Sequence, residues 1–153
     1  MSAILQDAPS FRPMRGDDVA AVMNIERDLY PFPWTEGNFR DSLHAGYNCW
    51  VCHFGPHVIG YAVMMLVAGE AHVLNIAVAR DWQGQGLGGK LMQHLIKLAR
   101  EYAATEIFLE VRPSNAVARR LYHGMGFNEI ATRRNYYPSH GGREDAILMA
   151  MTL

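Results

Sequence analysis

The stretch AHVLNIAVARDWQGQGLGGKLMQHLIKLAR, residues 71–100, decides the fold. Its first part, Ala71 to Ala79, is apolar at nearly every position apart from His72 and Asn75, as expected of a strand covered on both faces. Its last part sets Leu91, Leu95 and Leu98 on one stripe, continued by Tyr102, with Lys90, Gln93, Lys97 and Arg100 turned away. The apolar period therefore changes from that of a strand to that of a helix. Between the two lie Gly84, Gly86, Gly88 and Gly89. A plain flexible turn needs no such concentration, because each glycine adds chain entropy that folding must overcome. Amides of a first helical turn lack acceptors, the helix dipole is positive there, and glycine lets a ligand reach the main chain. The pattern predicts a phosphate-binding turn.

Before this segment, Asp17 to Leu29 carries Val19, Val22, Met23, Ile25 and Leu29 at helical spacing, and Thr35 is placed to cap a second helix. Between them, Tyr30-Pro31-Phe32-Pro33-Trp34 is a proline-stiffened aromatic loop, either packing material or the lining of a groove. Three strand-like runs follow, Asn48 to Phe54, Val58 to Val67 and Ala71 to Ala79, separated by turn signals at Gly55-Pro56 and Gly69. They predict an antiparallel meander. After the central helix, Glu106 to Val111 reads as another buried strand and Ser114 as the cap of a helix through Met125. Phe127 to Arg133 and Ala146 to Thr152 read as two closing strands. The expectation is one domain spanning residues 1–153, with an α/β (α+β) architecture. Its sheet is mixed and mostly antiparallel, with helices on both faces and one central parallel strand-helix-strand crossover, right-handed by the general rule.

Composition narrows the function classes. At 153 residues the chain has room for one site of enzyme size. Fourteen Lys and Arg against 15 Asp and Glu leave a net charge of -1, so no basic stripe announces nucleic acid. No apolar run approaches the roughly 18 residues of a membrane span, and Met1 to Ser10 lacks the basic-then-apolar order of a leader. The expectation is a cytoplasmic protein with neither a nucleic-acid nor a membrane partner. Cys49 and Cys52 form a C-x-x-C pair that superficially suits a metal or redox site. On a strand they point to opposite faces and read instead as buried small hydrophobes, even with His44, His53 and His57 nearby. No two histidines at ligand spacing lie on a predicted helix, and no metal is expected.

Which phosphate compound the turn holds stays open on the residues alone. Gly84-x-Gly86-x-x-Gly89 matches the dinucleotide fingerprint in form, with Glu110 at a suitable distance. It follows a meander, however, rather than the first strand of repeated β-α-β units. A P-loop fails as well, because Gly89-Lys90 is followed by Leu91 in place of Ser or Thr. Gln83-x-x-Gly86-x-Gly88 after a buried strand resembles the acetyl-CoA pyrophosphate loop of the Gcn5-related N-acetyltransferase family, and the element order resembles that fold along essentially the whole chain. Four further segments are similar to the members that acetylate the N-terminal alanine of a ribosomal protein: Phe32 to Trp34, Asn75 to Val78, Leu109 to Asn115, and Arg134 to Pro138 with Glu144 to Ala146. The resemblance implies that pantetheine lies beside the main chain of Ile76, Ala77 and Val78. It also implies a pyrophosphate over Gly84, Gln85, Gly86, Leu87, Gly88 and Gly89, with Asn115 and Tyr122 contacting the same acetyl-CoA. Close relatives carry arginines where this chain has Gly84 and Gln85, which implies a less positive phosphate seat.

Acyl transfer from a thioester to an amine needs a proton acceptor for the amine and a proton for the leaving thiolate. Glu110, near the end of an apolar strand and sharing a face with Phe108, is placed for the base. The alternative is a carboxylate paired with Arg112 or exposed at an edge. Tyr122, beside Val117, Ala118, Leu121 and Met125, reads as core by itself, and the resemblance assigns it the acid. Tyr136 and Tyr137, on the loop joining the closing strands, and Phe32, Pro33 and Trp34 are candidates for lining a peptide groove, with loop packing as the alternative. Glu144 and Asp145 could attract a basic peptide or pair with Arg133, Arg134 or Arg143.

An α-amine of pKa near 8 is about one-tenth neutral at pH 7, and a lysine only about one part in 2,500. The difference favours an N-terminal acceptor by roughly 3.4 kcal/mol. The resemblance implies a particular one, the N-terminal alanine of small-subunit ribosomal protein eighteen. Other N-termini, lysines or small amines stay open as acceptors, as does a CoA-binding sensor without turnover.

Overall fold

The computed structural model describes residues 8–153, so the reading of Met1 to Ser10 lies mostly outside the described residues. The chain forms β1 (Ser10–Pro13), α1 (Val19–Leu29), α2 (Glu36–His44), β2 (Asn48–Phe54), β3 (His57–Val67), β4 (Glu70–Val78), α3 (Leu87–Glu101), β5 (Glu106–Val111), α4 (Ala116–Met125), β6 (Asn128–Ser139) and β7 (Gly142–Thr152). Among the described residues the strands make one seven-stranded sheet in the order β1-β2-β3-β4-β5-β7-β6. It is mixed and mostly antiparallel, and β4 and β5 run parallel, as the strand-helix-strand reading requires. The residues pack as two units, one holding the described chain through Met64 with Asn75–Met92, the other Met65–Leu74 with Gln93–Leu153.

In the first unit β2 pairs antiparallel with β1 and with β3, and a bulge falls between Cys52 and His53. The four-residue β1 escaped the sequence reading because Ser10 to Pro13 is too short to show a period. The α1 helix starts two residues later than its apolar spacing predicts, since Gly16–Asp18 is a 3-10 turn. There the buried Asp18 carboxylate accepts from Arg12 at 2.7 and 2.8 Å and from the Arg15 amide at 2.7 Å. Thr35 caps α2 as expected: its hydroxyl accepts from the Asn38 amide at 3.1 Å, and the Asn38 side chain accepts from the Thr35 amide at 2.9 Å. Val19, Val22, Met23 and Ile25 of α1 pack with Phe39, Val51, Tyr61, Val63 and Cys49. Cys52 joins a separate cluster with Ile59 and Leu87, so the two thiols do face opposite sides of β2. Burial pushes the Cys49 thiol up to about 11 and raises Cys52 as well.

In the second unit β5 pairs parallel with β4 from Glu70↔Glu106 to Val73↔Leu109, and antiparallel with β7 from Glu106↔Thr152 to Val111↔Ile147. Both β4 and β5 alternate in burial rather than being covered on both faces, and Leu74 is exposed. The closing hairpin is much longer than expected, running through Arg134–Asp145. Its apolar period is absent because β6 is an edge strand exposed along most of its length, where the backbone ladder rather than side-chain burial defines the strand. Tyr136 and Tyr137 therefore lie within β6, not on a loop. Asn115, not Ser114, caps α4, accepting from the Ala118 amide at 3.2 Å. Ser114 is instead bound to Glu144. Tyr102 is 64% exposed, one residue beyond α3, and Val117 is 72% exposed, so neither belongs to the apolar face its spacing suggests. Leu91, Met92, Leu95, Ile96 and Ala99 form the buried face of α3.

Gly60 is fixed by a close approach: a Cβ there would lie 2.9 Å from the Ala77 carbonyl oxygen. Gly60→Ala is expected to cost about 1–3 kcal/mol of stability, read as a lower urea midpoint with an unchanged slope. An unchanged midpoint would contradict the close packing of β3 on β4.

Candidate active site

The first unit carries the glycine turn and the end of β4. Gly84 and Gly86 have φ of 79° and 80°, left-handed values that favour glycine, and a Cβ at either would meet nothing within 4 Å. The main chain is thus both bent and open to approach at the start of α3, as a phosphate seat requires. Leu87 beside it is buried against Cys52 and Ile59, which anchors the helix start. The Gln83 side chain donates to the Val78 carbonyl at 2.9 Å, and the Tyr30 hydroxyl lies 3.5 Å from the Ile76 carbonyl. Arg80 donates to the Asp28 carboxylate at 3.2 Å and to its carbonyl at 2.9 Å, tying the approach to the turn to the end of α1.

Behind this strand end lies a group the sequence reading missed. Glu26 of α1 is only 3% exposed. Its Oε1 accepts from the Tyr61 hydroxyl at 2.6 Å and the Asn75 amide at 3.0 Å, while Oε2 accepts from the Trp34 backbone N–H at 2.9 Å. Burial and this carboxylate raise the Tyr61 phenol. A signal existed: position 26 falls on the same helical stripe as Val19, Val22, Met23 and Leu29, where a carboxylate must find donors. Trp34 stacks obliquely on Phe39 at 5.0 Å, and Phe39 meets Tyr61 edge-on at 5.6 Å. Phe32 and Pro33 stay exposed beside them, and Trp34 also lines a cavity of about 410 Å³ with Asn38, Asp41, Ser42, Ala45 and Tyr47.

The second unit carries the proposed proton-transfer residues. Glu110 lies on β5 with its side chain 25% exposed; Oε1 is 3.6 Å from the Arg133 guanidinium, and Oε2 is buried without a hydrogen-bond partner. It is paired neither with Arg112 nor at a sheet edge. Arg112 instead donates to the Pro138 carbonyl at 2.8 Å and to Glu144 at 3.3 Å, and its guanidinium sits 4.3 Å over the Tyr137 ring. Burial first, and the Glu110 charge second, push the Tyr137 phenol up to about 12. Arg133 lies 5.2 Å over Tyr136, which meets Tyr137 edge-on at 4.9 Å. Asn135, in a left-handed conformation, donates its amide to Asp145 at 2.9 Å, and Arg143 holds the Asn135 and Tyr136 carbonyls at 2.7 and 2.9 Å. Glu110, Arg133, Tyr136 and Tyr137 thus come together, while Glu144 and Asp145 act as internal acceptors. Tyr122 is buried on Phe127, 5.9 Å between ring centroids, and burial pushes its phenol up to about 12. Among the described residues no group of three or more His, Cys, Asp or Glu could hold a metal ion, and no helix is long and apolar enough to cross a membrane.

Residues 19–127 match the Acetyltransferase (GNAT) family, and the chain belongs to it, an acyltransferase fold with an N-acetyltransferase site. Within that family it is 41% identical over 136 residues to the [ribosomal protein bS18]-alanine N-acetyltransferase of Escherichia coli K12, covering 89% of this chain and 92% of the relative. A putative enzyme of the same name from Bacillus subtilis is 35% identical over 146 residues, covering 93% and 94%. The crystal structure of the Escherichia coli ribosomal-protein-S18-alanine N-acetyltransferase superposes with a TM-score of 0.89 at 39% identity, covering 95% of this chain and 94% of that one.

Glu144 is held below the ordinary carboxylate range, first by the Ser114 hydroxyl, then by the Ser114 amide and Arg112. A carboxyl lowered by folding adds stability above its unfolded value, near 4.3, which is lost as pH falls through the depressed folded value. Amide protection of residues 133–145 is therefore expected to persist down to about pH 4 and to fall below it. Glu144→Gln should show the reduced protection already at neutral pH, measured by hydrogen exchange.

Proposed function

We propose that this chain transfers the acetyl group of acetyl-CoA to the α-amine of the N-terminal alanine of ribosomal protein bS18. The observation that carries the reading is Glu110, a carboxylate with one buried oxygen left free of protein donors, in a chain 41% identical to enzymes named for that reaction. The main chain of Ile76, Ala77 and Val78 would hold pantetheine; Gly84, Gln85, Gly86, Leu87, Gly88 and Gly89 would hold the pyrophosphate; Asn115 and Tyr122 would complete the cofactor contacts. Phe32, Pro33, Trp34, Tyr136 and Tyr137 would contact the acceptor peptide. Residues 1–153 would act as one catalytic domain, working in the cytosol where ribosomal proteins are made.

The acceptor nitrogen bonds to the acetyl carbonyl carbon as the carbon–sulfur bond breaks. Glu110 takes the proton released by the amine, directly or through a water. Tyr122 returns a proton to the departing thiolate. Burial pushes that phenol up to about 12, so it is protonated at neutral pH and has a proton to give as negative charge builds on the departing sulfur.

Purified protein mixed with acetyl-CoA and an alanine-starting peptide should release free thiol. Glu110→Gln is expected to lower kcat/KM by about 10²–10⁴-fold. Tyr122→Phe should cut kcat by at least about tenfold while CoA affinity, measured by calorimetry, stays nearly intact. An unchanged rate in either variant would remove that residue's role.

A further inference from the structure

We propose that Glu26 is a positioning residue for both substrates at once. Its single buried carboxylate holds the strand end assigned to the donor and the loop assigned to the acceptor peptide, and the inference rests on those assignments. On one side Oε1 takes the Asn75 side chain at 3.0 Å, one residue before Ile76, whose main chain begins the pantetheine contact. On the other side Oε2 takes the Trp34 backbone N–H at 2.9 Å, at the end of the Phe32–Trp34 segment. The Tyr61 hydroxyl also donates to Oε1, at 2.6 Å. All three donors and the acceptor lie within one packed unit.

A structural carboxylate in this place would need only to be satisfied. Here the geometry asks for more. A backbone N–H cannot reorient without moving the loop that carries it, and the loop holds two prolines, Pro31 and Pro33, which lack an N–H to offer in its place. Leaving the Trp34 amide without an acceptor therefore releases the aromatic loop from its seat rather than rotating a side chain. Asn75 is the matching restraint on β4, at the point where that strand runs on past its last pair with β5, Val73↔Leu109. Glutamine at position 26 presents one acceptor and one NH₂ group to three donors, so it cannot serve both sides together.

The test measures acetyl-CoA KM, peptide KM, kcat and melting temperature in the full chain. Glu26→Gln is expected to raise both KM values about tenfold, the result of leaving each binding element competent about one-tenth of the time, while kcat falls less than about threefold. Asn75→Ala keeps the Trp34 bond and should raise the acetyl-CoA KM alone. Asp18→Asn removes another buried carboxylate of the same unit and should lower the melting temperature with both KM values unchanged. A Glu26→Gln protein that behaves like Asp18→Asn would overturn the proposal, as would a shift in only one of its two KM values. Should Glu26→Gln not fold, an unchanged acetyl-CoA KM in Asn75→Ala has the same force. Wild-type protein without turnover on the alanine-starting peptide would instead overturn the functional reading, and this inference with it.

Discussion

A carboxylate buried on α1 and held by three neutral donors constrains the donor half of this protein. Burying such a group costs several kcal/mol unless its oxygens are satisfied. The Tyr61 hydroxyl, the Asn75 amide and the Trp34 N–H satisfy it from β3, β4 and the loop after α1. Each of those elements must then sit where its donor reaches Glu26. The Trp34–Phe39–Tyr61 ring contacts fill the apolar space around the network, so polar satisfaction and packing fix the same arrangement. Consistency of this kind confers a single geometry as well as stability.

The second unit uses a different device. Its outer hairpin is exposed along much of its length, with Ile130 and Tyr136 exposed, and is held by side chains that reach the backbone. Arg143 grips two carbonyls, Asp145 accepts the Asn135 amide, and Arg112 is shared between the Pro138 carbonyl and Glu144. Arginine suits that work because its planar fork can donate to several acceptors while stacking on an aromatic face, as Arg112 does on Tyr137. Arg133 reaches Glu110 in the same way, 56% exposed and lying over Tyr136, an exposed counter-charge rather than a buried partner.

What the sequence made legible follows the strength of its periods. The change of apolar spacing across residues 71–100 locates β4, the glycine turn and α3, and β2, β5 and the Thr35 cap stand where spacing and cap chemistry put them. Elements without a period were missed or shortened: β1 is too brief, and the outer half of the β6–β7 hairpin is polar on both faces. The cap of α4 was displaced by one residue because Ser114 and Asn115 are both competent caps, and Glu144, distant in sequence, claims Ser114. Val117 failed as a core residue because an apolar stripe on a ten-residue helix is wider than the face it buries. The stripe position of Glu26 signals a buried carboxylate but not its donors, two of which, Tyr61 and Asn75, lie 35 and 49 residues away, and the Arg133–Glu110 contact depends on strand register. The family itself was legible because several separated segments, each weak alone, occur in one order.

The central claim is that this site acetylates one kind of amine, the α-amine of an N-terminal alanine on a ribosomal protein. Its most direct test is tandem mass spectrometry of purified bS18 after incubation with this protein and acetyl-CoA. The account predicts one added acetyl group, located on the N-terminal residue, with lysines unmodified. An acetyl group on lysine side chains, or none on any N-terminus, would contradict it.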